Sequence, residues 1–154
     1  MEVDRARLAS LMARERMGGV GGTMAGNALS VAAMRATLEH VLTDDAFASM
    51  IARSDRFADG VRDVFARHGA PWSVAQLGAR SEYRFMPELP RNGTEAAEAT
   101  DLELDDYVHL HLANRGILLT PFHNRALMSP VTTDEHVDAH LAVLDEAVGE
   151  LLAG

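Results

Sequence analysis

Cysteine and lysine are both missing from this 154-residue chain. Without cysteine, disulfides, thiolate catalysis and cysteine–zinc sites are excluded. Without lysine, all 14 basic residues are arginine. Arginine stays protonated and cannot act as an amine nucleophile, whereas a desolvated lysine can. Schiff-base chemistry from the chain's own side chains is therefore excluded. Positive charge is scarce as well: 23 acidic residues leave a net charge of −9, which argues against a nucleic acid or an anionic membrane surface as partner. Long apolar runs are absent. The longest uncharged stretch, Met17 to Met34, is too rich in glycine to span a membrane. The charged start, Met1-Glu2-Val3-Asp4-Arg5, leads to no apolar core of the signal-peptide kind. A cytoplasmic protein is expected, with no internal repeat and no low-complexity tract.

What remains is ordinary for a globular chain, 47% hydrophobic and 24% charged, long enough for one domain with a real core. The most unusual stretch runs from Met17 to Ser30. Four glycines fall within Gly18 to Gly22, followed by Thr23, Gly26 and Asn27. Glycine permits positive φ and close approach of the backbone to a ligand. Asn27 is a good N-cap for the Ala-rich segment after it. Backbone N–H groups feeding a helix N-terminus suit an anion such as phosphate. A flexible linker into a helix accounts for the same composition.

Along the chain, residues 4–14 read as a short helix with Leu8, Leu11 and Met12 on one side. Val31, Met34, Leu38, Val41 and Leu42 recur at helical spacing after Asn27, with Arg35, Glu39 and His40 opposite. Thr43-Asp44-Asp45 caps a second helix with the stripe Phe47, Met50, Ile51, Phe57, Val61, Val64 and Phe65. His68-Gly69-Ala70-Pro71 ends it. Trp72 to Leu77 and Ser81 to Met86 read as two strands joined at Gly78-Ala79-Arg80. Pro87 to Thr94 reads as loop, and Ala99 to Arg115 as a helix with Leu104, Val108, His111 and Leu112 inward. Ile117-Leu118-Leu119 reads as a buried strand and Ala126-Leu127-Met128 as an edge strand. Thr132 and Glu135 form a capping box before a last helix bearing Val137, Leu141, Leu144, Val148 and Leu151. This order predicts an α+β layer: a small antiparallel sheet of three to four strands with helices on one face.

The run Gly21-Gly22-Thr23-Met24-Ala25-Gly26-Asn27-Ala28-Leu29-Ser30, continuing to Thr37-Leu38-Glu39, resembles a segment of the class III pyridoxal-phosphate aminotransferases, nearest the glutamate-1-semialdehyde aminomutase group. The tail is similar too: Asn114-Arg115-Gly116-Ile117-Leu118-Leu119-Thr120-Pro121, then Ser129 to Thr133, then Asp134-Glu135-His136. The resemblance covers nearly the whole chain from about Arg16. It implies the C-terminal small domain of a fold-type-I aminotransferase over 27–154, including the interdomain helix. Residues 1–26, a helix and the glycine-rich loop, are then a remnant of the large domain just downstream of the cofactor-bearing lysine.

The resemblance also implies that Gly22 and Thr23 contact the phosphate of pyridoxal 5′-phosphate bound in the neighbouring subunit of a dimer. Arg80 and Arg84, on the strand pair, are the candidates for an arginine that meets a substrate carboxylate, as planar guanidinium geometry favours, the alternative for each being an exposed or ion-paired arginine. His123, on a loop after Pro121, is a further substrate-site candidate. No catalytic residue and no metal site is assigned. His136 and His140 have metal-compatible spacing but lack the HExxH pattern, and Asp101, Glu103, Asp105 and Asp106 read as a solvated helix face. The chain is thus expected to be part of an aminotransferase or aminomutase, not catalytic alone. A homodimer or a large-domain partner, with a small-molecule amino donor and acceptor, completes it. A non-catalytic binding or assembly module derived from that domain is the alternative, and an independent enzyme using histidine or carboxylate chemistry lacks a convergent residue set.

Overall fold

The computed structural model describes residues 22, 24–120 and 123–153. The chain divides into two units, one up to Val41 and one from Leu42 onward. The expected helix over residues 4–14, most of the glycine-rich stretch and Thr23 lie outside the described residues.

In the first unit a turn leads into α1 (Ala28–His40). The Gly22 carbonyl accepts from the Ala25 N–H at 2.9 Å, and Gly26 has φ 73°. Asn27 caps the helix as expected: its Oδ1 accepts from the Ser30 N–H at 3.0 Å, and its amide donates to the Met24 carbonyl at 2.6 Å. No residue of α1 is buried.

The second unit is built on α2 (Asp44–His68). The Thr43 hydroxyl accepts from the Ala46 N–H at its start. Gly69, at φ 67°, ends it. The Gly69 and Ala70 N–H groups turn back onto the Ala66 and Phe65 carbonyls, the pairing a left-handed glycine permits. Met50, Phe57, Val61, Val64 and Phe65 are buried as expected. Phe47 and Ile51 are not, at 45% and 38% exposed. The reason is length. Ion pairs Arg53–Asp134, Arg56–Asp138 and Arg67–Asp145 set α2 beside α5 (Asp134–Ala153). The early turns of α2 therefore precede the first residue of α5.

One face of the sheet packs on α2. Strands β1 (Ser73–Leu77), β2 (Arg80–Arg84) and β3 (Arg125–Leu127) are antiparallel in the order β1-β2-β3. The turn is Gly78-Ala79, with Gly78 at φ 56°, so Arg80 belongs to β2 rather than to the turn. Ser81 meets α2 through its hydroxyl, 2.8 Å from that of Ser54. Tyr83 enters the core with Phe57, Phe65, Val108, Leu112, Leu144 and Val148.

Between β2 and β3 stand two helices where one was expected. Asn92 caps α3 (Gly93–Glu98), an additional helix that begins at the end of the stretch expected to be loop. Asp101 starts α4 (Leu102–Asn114) by accepting from the Glu103 and Leu104 N–H groups. Leu104 is only half-buried. Ile117-Leu118-Leu119 is not a strand. The Ile117 N–H closes the end of α4 on the Leu112 carbonyl, and Leu118 is 89% exposed. The capping box is displaced by one residue. The Thr133 hydroxyl accepts from the His136 N–H and the His136 imidazole accepts from the Thr133 N–H, while the Thr132 hydroxyl accepts from the Ser129 N–H. No described helix is long and apolar enough to cross a membrane.

Candidate functional site

Side chains alternate across a strand, so Ser81 and Tyr83 face α2 while Arg80, Glu82 and Arg84 share the opposite face. The register sets Arg125 of β3 directly across from Glu82. The segment before β3 is held by two bonds. The Asn124 carbonyl accepts from the Tyr83 N–H at 3.1 Å, and the Thr120 hydroxyl donates to the Arg125 carbonyl at 3.1 Å. These bonds bring His123 to the same place.

Glu82 is the hub. Its side chain is 8% exposed. Its carboxylate lies 2.8 Å from Arg84 Nη2, 3.3 Å from Arg125 Nη2, 3.7 Å from Arg80 Nη2 and 3.9 Å from His123 Nδ1. Each of the other seven described arginines has a carboxylate partner of its own. Here three guanidinium groups share one carboxylate, leaving a formal charge of +2 in a chain whose net charge is −9. Guanidinium groups left with free N–H forks bind carboxylate or phosphate in bidentate fashion. The cluster thus carries excess positive charge around one carboxylate.

The structure thus gathers Arg80, Arg84 and His123 around one carboxylate. It adds Glu82 and Arg125, which the sequence reading did not single out. The alternation Arg80-x-Glu82-x-Arg84 on a strand was the available signal. Gly22 lies in the first unit with open space where a Cβ would stand, and Thr23 lies outside the described residues.

On its other side Arg125 borders a cavity of about 250 Å³ walled by Phe57, Leu119, Met128, Val137 and His140. His140 is 6% exposed, its Nε2 has no partner, and its ring packs on Phe57 at 4.9 Å between centroids. Burial pushes its imidazole down to about 4. His136 spends its Nδ1 on the Thr133 N–H. Among the described residues no group of three metal-ligating side chains occurs. The acidic stretch on α4 is not uniformly solvated: Asp105 Oδ1 accepts from the Asn124 amide at 2.6 Å.

No family model matches the chain. Glutamate-1-semialdehyde 2,1-aminomutase of Bacillus subtilis (strain 168) is 28% identical over 131 residues, covering 84% of this chain and 30% of that protein. Among solved structures, a glutamate-1-semialdehyde aminomutase from Pseudomonas aeruginosa PAO1, a lysine-to-alanine variant in complex with PMP, is 43% identical with TM-score 0.81. The match covers 96% of this chain and 34% of that one. A β-phenylalanine aminotransferase from Variovorax paradoxus is 25% identical with TM-score 0.75, covering 94% and 34% respectively. The chain spans about a third of the length of these proteins. In sequence and in fold it is the counterpart of the C-terminal part of the class III pyridoxal-phosphate aminotransferases, with glutamate-1-semialdehyde 2,1-aminomutases as its relatives.

Proposed function

We propose that this chain serves an enzyme that transfers amino groups with pyridoxal phosphate, and that Arg80, Arg84 and Arg125 anchor the carboxylate of its small-molecule amino donor or acceptor. The observation that carries the reading is three arginines sharing the single carboxylate of Glu82. Bound pyridoxal phosphate supplies an electron sink for reactions at the carbon bearing the amine. The residues of this chain fit only the edge of such a site. There is no lysine to carry the cofactor, whereas Gly22, exposed and unobstructed, fits a backbone contact to a phosphate beside Thr23. Both residues reach it in the neighbouring subunit on this reading.

A homodimer or a partner bearing the large domain therefore completes the enzyme, in the cytoplasm. Leu29, Met34 and Leu38 of α1, at 80%, 57% and 58% exposed, offer apolar surface for such association. The same exposure suits the second reading, a non-catalytic assembly module.

The test is the kinetics of the completed enzyme carrying Arg125→Gln. Loss of one charge-assisted contact corresponds to roughly tenfold or more. KM for the carboxylate substrate is expected to rise by that factor with the cofactor's absorption unchanged. An unaltered KM would remove the cluster from substrate binding.

A further inference from the structure

His123 and Arg125 reach Glu82 from either side of Asn124, and Asn124 itself turns inward, at 6% exposed. Its carbonyl accepts from the Tyr83 N–H at 3.1 Å, which carries the β2–β3 pairing one residue beyond Glu82 and Arg125. Its side-chain amide donates to Asp105 Oδ1 at 2.6 Å. A carboxylate only accepts, so the nitrogen of Asn124 must face Asp105. The Asn124 Oδ1 is buried without a partner. The bond to Asp105 is thus the one side-chain hydrogen bond of Asn124 among the described residues.

Asp105 is a firm anchor. It stands in the first turn of α4, whose later residues Val108 and Leu112 are fixed in the core. It is half-buried. Burial first, and then the Asp105 charge, push the ionisation of the Tyr83 phenol up, which sets that carboxylate beside the core. Side chains alternate along an extended segment, so fixing the middle one fixes the side to which both neighbours project. We infer that Asp105 is a positioning residue for the arginine cluster: through the Asn124 amide it locks the segment that carries His123 and Arg125 to Glu82. Asp105 touches no substrate in this role. It governs the direction of the Arg125 fork, and a fork aimed away from a carboxylate loses its paired bonds. The inference rests on the proposed function for what the cluster binds, and on the geometry alone for the lock.

Amide hydrogen exchange of the 154-residue chain reads the lock at the Tyr83 N–H, with buried Val61 of α2 as reference. Asp105→Ala is expected to speed exchange at Tyr83 about tenfold beyond any change at Val61, the equivalent of one charge-assisted hydrogen bond in a local opening. Asp105→Asn, which keeps an acceptor oxygen, is expected to recover most of the protection. Equal changes at the two amides, or none at Tyr83, would overturn the inference. In the completed enzyme Asp105→Ala is expected to raise KM for the carboxylate substrate with little change in kcat. Added to Arg125→Gln it is expected to change KM by less than about twofold, because both act through the same fork. KM effects that multiply would overturn the inference as well. A lock read at Tyr83, with KM indifferent to Arg125→Gln, would retain the positioning of the segment and reject the substrate role of the cluster.

Discussion

Glu82 is one carboxylate asked to neutralise three arginines, and it is nearly shut off from water. Removing one partner from a largely buried charge group leaves like charges facing each other and costs roughly 3 kcal/mol. Glu82→Gln is expected to lower the urea midpoint accordingly, and added sulfate to restore part of the loss by replacing the missing anion. An unchanged midpoint would mean that solvent already screens the arginines.

His140 makes the opposite kind of statement, a group kept neutral by burial. Its folded value of about 4 lies below the ordinary 6.5. Between the two the unfolded chain holds the extra proton, so stability rises with pH. The contribution is complete above about pH 6.5 and is lost as pH falls toward 4, about 3 kcal/mol in all. His140→Leu is expected to flatten that part of the stability–pH curve relative to the parent. Parallel curves would show that the imidazole takes its proton in place.

At the scale of elements, punctuation decides what forms. Gly69 at φ 67° ends α2 where a side chain is strained, so Gly69→Ala is expected to cost about 1 kcal/mol, read as a lowered melting temperature. The limits of α1 and α2 were legible because Asn27, Thr43 and Gly69 carry local chemistry that fixes a helix end without help from the rest of the fold. The segment Ile117–Leu119 was misread because an apolar triplet does not say where its N–H groups go, and that of Ile117 closes α4. The break between α3 and α4 depended on Asp101 capping a new helix inside an acidic run. The site was half legible. Arg80, Arg84 and His123 were marked as residues, but their convergence required the β2–β3 register, which pairs Glu82 with Arg125 across 43 residues of chain.

For the whole molecule, charge and length point the same way. A local +2 persists within a chain of net charge −9, and no lysine is present to carry the cofactor of the relatives. The chain matches about a third of those relatives. The most direct measurement is to mix it with a polypeptide carrying the N-terminal two-thirds of the Pseudomonas aeruginosa aminomutase, native lysine included, and pyridoxal phosphate. Visible cofactor absorption and amino transfer are then followed together. Amino transfer that needs both polypeptides, and that falls when Arg125→Gln is introduced, is the predicted result. A mixture that associates and binds the cofactor yet transfers no amino group would contradict the account and favour the assembly module.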